Sequence, residues 1–97
     1  MKWEWDEAKR QENIRKHGID FRDVPAVFDG PMLVRLDDRA DYGEDRWVGL
    51  GLLGEGLVVV VYTEGDESIR FISARKANRY ERQRFEQALP DGLETLG

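Results

Sequence analysis

Leu57-Val58-Val59-Val60-Val61-Tyr62 is an unbroken run of apolar and aromatic residues with no polar alternation. β-Branched side chains at that density favour extended backbone, and the missing alternation predicts a central strand buried on both faces. Such a strand needs a partner on each side. Working outward, Gly54-Glu55-Gly56 and Gly65-Asp66-Glu67 have the length and glycine content of hairpin turns. They join the run to residues 46–53 and 68–74, both of which read as strands, and residues 32–36 supply a fourth. Towards the N-terminus, Lys2-Trp3-Glu4-Trp5 reads as a short extended segment. Asp6 then caps a helix that runs to about His17, and Gly18 supplies its left-handed stop. Asp20 or Asp23 caps a second, shorter helix through Val27 or Phe28, with Pro25 in or near its first turn. Residues 75 to about 89 read as the last helix, with Ala77, Glu81, Phe85 and Leu89 on one side and Pro90-Asp91-Gly92 ending it. The expected fold is α+β: a small antiparallel sheet, two N-terminal helices and one C-terminal helix. The 97 residues are expected to form one domain, with 90–97 as a tail.

Composition narrows the chemistry. With no cysteine, disulfides, thiolate zinc sites and cysteine nucleophiles are excluded. One histidine, His17, excludes a multi-histidine metal site within the chain. Neither metal nor cofactor is expected. No apolar run approaches the ~20 residues of a membrane span, and residues 1–15 are charged throughout, so no signal peptide, no membrane and a cytoplasmic location are expected. The 15 Lys+Arg against 20 Asp+Glu give a net charge of −5, which argues against a dedicated nucleic-acid binder unless positive charge is concentrated.

It is concentrated. Arg70, Arg75, Lys76, Arg79, Arg82 and Arg84 face only Glu81, whereas Asp37, Asp38, Asp41, Glu44 and Asp45 face only Arg39. With Arg75 at a helix start, Arg75, Arg79 and Arg82 would share one helical stripe, a ledge for phosphate. A solvated surface helix is the plainer reading of such a run. His17 is the one side chain that ordinarily titrates near neutrality, a candidate acid or base, or simply a cation at a helix C-terminus. Lys9 and Lys16 share a face of that helix and can contact phosphate or merely solubilise. Glu44 and Arg46 flank the second strand's start and Glu64 ends the third, either as proton acceptors near cations or as edge ion pairs. Trp3 and Trp5 share a strand face, fit for stacking bases or for core packing.

Taken together, Trp5-Asp6-Glu7-Ala8-Lys9, Asn13, Lys16-His17-Gly18, Phe21, Val27-Phe28-Asp29, Gly43-Glu44-Asp45-Arg46, Val59-Val60-Val61-Tyr62-Thr63-Glu64 and the segment from Ile69 to Ala77 resemble the BrnT toxin family. The resemblance implies a RelE-like fold, with helices on one side of an antiparallel sheet. It also implies a ribonuclease toxin of a bacterial type II toxin–antitoxin pair. The implied partner is a BrnA-like ribbon-helix-helix antitoxin, forming a heterotetramer of two toxins and two antitoxins that meets operator DNA through the antitoxin. The family's recurrent polar set falls on Lys9, His17, Glu44, Arg46, Arg75, Arg79 and Glu81. The fitting mechanism is metal-independent RNA cleavage. In that mechanism His17 and Glu44 compete for proton transfer, and Arg46, Arg75 and Arg79 stabilise the phosphate. Lys9, Lys16, Arg70, Lys76 and Arg82 are further candidates for holding the RNA backbone. From a different class, a non-catalytic module docking its basic helix on a protein or nucleic acid would fit the same charges.

Overall fold

A computed structural model describes residues 1–88; Leu89 and the stop expected at Pro90-Asp91-Gly92 lie outside the described residues. The elements are β1 (Lys2–Trp5), α1 (Glu7–His17), a 3-10 helix (Phe21–Asp29), β2 (Met32–Leu36), β3 (Trp47–Leu53), β4 (Gly56–Glu64), β5 (Ser68–Lys76) and α2 (Arg79–Ala88). The strands form one sheet in the order β1-β5-β4-β3-β2. β4, the strand of the apolar run, is its centre. Its alternate residues feed two cores. Val58, Val60 and Tyr62 pack with Phe21, Val24 and Val27 of the 3-10 helix, while Leu57 and Val59 pack with Leu50 and with Phe85 of α2. α1 and the 3-10 helix therefore cover one face and α2 the other. The expectation of helices on a single side is corrected.

The sheet is mixed, not antiparallel. β1 lies parallel to β5, from Lys2 opposite Ser68 to Trp5 opposite Phe71, and the other three pairings are antiparallel. Four residues carry too little periodicity to announce an edge strand. What fixes it is tertiary: Trp3 and Trp5 both stack on Phe71, with ring centroids at 5.6 and 6.1 Å, and Trp3 also meets Phe28 at 5.2 Å. Packing, not base stacking, occupies both indoles. Beyond Phe71 the outer edge of β5 has no neighbouring strand among the described residues, and a side chain takes over. The buried Asn13 of α1 accepts from the Ala74 N–H (3.0 Å) and donates to the carbonyls of Ala74 (2.9 Å) and Ile19 (2.8 Å).

α1 ends as expected, with Asp6 accepting from the Lys9 N–H and Gly18 at φ 70°, a conformation that costs other residues. The second helix is a 3-10 helix instead of an α-helix. Phe21, Val24 and Val27 recur every three residues and are all fully buried, which matches three residues per turn. Pro25 sits at its fifth residue, deeper than the first turn. The helix lies close on the sheet because Gly51 has no side chain: a Cβ there would stand 2.5 Å from Val27 Cγ1.

Candidate active site

The β5–α2 junction departs most from expectation. Arg75 and Lys76 do not open a helix; they remain in β5, opposite Val59 and Val58 of the long central strand, and the Ala77 N–H still donates to the Leu57 carbonyl. Helix α2 begins at Arg79 because Asn78 and Glu81 cap it reciprocally. Asn78 Oδ1 accepts from the Glu81 N–H (2.8 Å), and Glu81 Oε1 accepts from the Asn78 N–H (2.9 Å). The stripe of Arg75, Arg79 and Arg82 on one helix does not exist, although Arg79 and Arg82 remain exposed on α2. In its place Glu81 reaches back to β5 and takes both Nη groups of Arg75 at 2.8 Å.

Arg75 belongs to a larger cluster on the face that carries α2. Glu81 chiefly raises its pKa, while burial and the like charge of Arg39 oppose that rise. Arg75 lowers the pKa of Glu81, and Arg35 adds to that effect. Arg39, from the loop between β2 and β3, grips the buried carboxylate of Asp37 through two contacts of 2.7 and 2.8 Å. That grip outweighs burial and, with a smaller contribution from Arg35, holds the Asp37 carboxyl at about 2. Tyr42 donates its hydroxyl to Asp37 (3.4 Å) and lies under Arg46, whose guanidinium carbon is 4.0 Å from the ring centroid. The buried Arg46 Nε has no hydrogen-bond partner among the described residues. Arg35, Arg39 and Arg75 thus converge through two carboxylates that are already ionised. Sequence reading placed Asp37 and Arg39 in an acidic loop and missed Arg35, Arg39 and Tyr42. The available signal was the spacing of Asp37, Arg39, Tyr42 and Arg46 immediately before a strand, which lets the loop fold back on itself.

The remaining candidates are dispersed. Arg70 opposes Thr63 and Arg75 opposes Val59. They lie on the same face although five residues apart, because the register slips at Val61/Tyr62 and leaves Ile72 as an extra residue. Arg70 is tied to Glu44, and this end of the face is acidic, with Glu4, Asp45 and Glu64 around the pair. Lys76 opposes Val58 and so belongs to the other face. Lys9, Lys16 and His17 are exposed on α1, which packs on that opposite face; Lys16 pairs with Glu12 at 3.3 Å. The structure brings Arg75 and Arg79 to one junction and places Arg46 in the neighbouring cluster. It separates all three from His17 by the thickness of the sheet. Among the described residues, no three His, Cys, Asp or Glu side chains are grouped to hold a metal ion.

Comparison with known proteins gives two findings that agree. The family described as "Ribonuclease toxin, BrnT, of type II toxin-antitoxin system" matches residues 5–81. Among solved structures, the 1.1 Å crystal structure of the Brucella abortus ribonuclease toxin, BrnT, superposes with a TM-score of 0.64 at 35% identity, over 81% of this chain and 99% of that one. No curated protein gives a significant match. The matched span runs from the second stacked tryptophan to Glu81, the carboxylate that holds Arg75, so it takes in strands β2 to β5 and the cationic cluster together. The chain belongs to the BrnT family of ribonuclease toxins of type II toxin–antitoxin systems.

Proposed function

We propose that this chain cleaves RNA without a metal ion, on the face of a RelE-like scaffold that carries Arg35, Arg39 and Arg75. The observation that carries the reading is the convergence of those three guanidinium groups on a chain of net charge −5. Cleavage proceeds when a ribose 2′-oxygen attacks the adjacent phosphorus in line. The pentacovalent phosphorane gains negative charge, the bond to the 5′-oxygen breaks, and a 2′,3′-cyclic phosphate and a 5′-hydroxyl result. Stabilising that charge is usually the largest contribution to such a step, and guanidinium forks match phosphate oxygens. Arg75 is the principal phosphate ligand, oriented by Glu81, with Arg79 beside it at the start of α2. Arg46 acts through Tyr42 to hold the loop that presents Arg39. Asp37 and Glu81 are poor bases, since their guanidinium partners favour the ionised form. Of the two proton-transfer candidates, Glu44 shares this face through Arg70 and His17 does not. Glu44 is preferred by position alone, since it too is paired with a guanidinium, that of Arg70.

A BrnA-like ribbon-helix-helix antitoxin is the proposed partner. It is dimeric through its paired strands, so it recruits two copies of this chain, covers the arginine face and carries operator DNA itself. In a cytoplasmic setting, unopposed toxin halts growth. The decisive experiment incubates the purified, antitoxin-free chain with RNA in EDTA and analyses the product ends. Cyclic-phosphate ends, abolished by Arg75→Ala, support the reading. Intact RNA at high protein concentration favours a non-catalytic module. Light scattering on the co-expressed pair measures the stoichiometry.

A further inference from the structure

Between strands β2 and β3 and the first turns of α2 lies a cavity of about 190 Å³. Its floor is apolar, made of Leu33, Val48, Leu50 and Val59, and its rim carries Arg35, Asn78, Tyr80 and Arg84. The volume falls below the ~300–1,000 Å³ of a site for a drug-sized ligand, and suits one planar heterocycle. Glu81 lines the cavity and at the same time grips Arg75, so the cavity opens beside the proposed phosphate ligand. We propose that this cavity is a nucleobase subsite and that it selects guanine.

Three features support that occupant. First, the Tyr80 ring at the mouth is 66% exposed, with the Arg84 guanidinium 6.0 Å from its centroid. A large aromatic ring left in water beside a cationic cluster offers a stacking platform to an unpaired base. Second, the side-chain acceptors of Glu81 and Asn78 on the rim already hold donors. Both Glu81 oxygens are taken by Arg75, one of them also by the Asn78 N–H, and Asn78 Oδ1 accepts from the Glu81 N–H. What remains, besides the Tyr80 hydroxyl, which can donate or accept, is donors: Asn78 Nδ2 and the guanidinium groups of Arg84 and Arg35, the latter giving one long contact of 3.5 Å to the Leu36 carbonyl. A rim of donors fits the adjacent O6 and N7 acceptors of guanine, whereas adenine and cytosine present an amino group at the corresponding edge and uracil offers O4 without a second acceptor beside it. Third, the apolar floor accounts for a base and not for phosphate, which would be desolvated against it without reward.

This inference rests on the RNA-cleaving reading, and the test separates the two. The probes are uncleavable 2′-O-methyl oligouridylates carrying a single internal guanosine, adenosine or cytidine, with all-uridine as the baseline. The native chain is expected to bind the guanosine oligonucleotide about 10-fold more tightly than the others. Val48→Phe fills the cavity and Tyr80→Ala removes the platform; each is expected to bring that ratio to within about twofold of one. A ratio measured on one sample is insensitive to loss of folded protein, and Tyr80→Ala changes an exposed residue that the core does not need. Binding and cleavage of RNA without guanine preference overturn the subsite and leave the ribonuclease reading standing. Absence of both binding and cleavage for every RNA overturns both. A guanine preference that survives Val48→Phe, while that variant loses the antitoxin, assigns the cavity to a partner's side chain and overturns the proposal.

Discussion

A single arginine decides whether the site reading stands. Arg75 is held from both sides, by Glu81 through two 2.8 Å contacts and by its place in β5, so its guanidinium is oriented before any substrate arrives. Orientation of that kind makes a charge-assisted phosphate contact worth about 1.5–3 kcal/mol. Arg75→Ala is therefore expected to lower the rate of RNA cleavage about 10- to 100-fold, with the melting temperature little changed because 42% of the side chain lies in solvent. Glu81→Gln should give a smaller loss, since the side chain still accepts one hydrogen bond but loses its charge. His17 provides the contrast. It lies on α1, across the sheet, at a helix C-terminus where a cation is favoured by about 0.3–1 kcal/mol. His17→Gln is expected to leave both the cleavage rate and its pH profile unchanged. A lost alkaline or acidic limb in that variant would return His17 to the chemistry.

Among the elements, the outer edge of β5 is the most exposed to failure. Asn13 makes three buried hydrogen bonds there, two of them to the backbone of Ala74, where β1 no longer reaches. Asn13→Ala removes those bonds and strands buried backbone groups, a loss of roughly 2–4 kcal/mol, which would lower the melting temperature by about 10 °C or more. Urea titration with an unchanged slope would confirm a loss of stability without a change of fold. The same edge marks the limit of sequence reading. The apolar core of β4 was legible because burial on both faces leaves a long, unmistakable run, and α1 because Asp6 and Gly18 cap it at both ends. β1 was legible only as an extended segment over residues 2–5; its place in the sheet was not, since its parallel register is fixed by contacts of Trp3 and Trp5 with Phe71, a residue far along the chain. The start of α2 was misplaced because β4 is long enough to hold β5 straight through Lys76. The reciprocal cap of Asn78 and Glu81 was present in the sequence as the true boundary. Spacing could announce the folded loop from Asp37 to Arg46 but not the arginine cluster, since Arg35, Arg39 and Arg75 come from three segments that only the sheet brings together.

Charge organises the molecule as a whole. Fifteen basic and twenty acidic residues are not mixed evenly. Around Arg75 the carboxylates are consumed by guanidinium groups, and around Arg70 they are in excess. Carboxylates held by guanidinium groups also keep segments in place, on either face: Asp20 fastens α1 to the 3-10 helix through Arg10, at 2.8 and 3.0 Å, and Asp37 anchors the loop before β3 through Arg39. Both carboxyls are lowered from 3.8 to about 2, Asp20 chiefly by its hydrogen bonds from Arg10 and Asp37 chiefly by those from Arg39. A carboxyl whose pKa is depressed by folding binds a proton more readily when unfolded, so its contribution is complete above the unfolded value and disappears as pH falls through the folded one. Thermal stability is therefore expected to stay level from about pH 7 to 5, and to fall steadily between about pH 4 and 2. Asp37→Asn should melt below the native protein at neutral pH, because Arg39 then lacks its charged partner. The two melting curves should approach each other towards pH 2, where the native Asp37 is itself protonated. Parallel curves over the whole range would mean that the Asp37–Arg39 pair contributes packing and not charge, and the loop that presents Arg39 would then owe its position to Tyr42 and Arg46 alone.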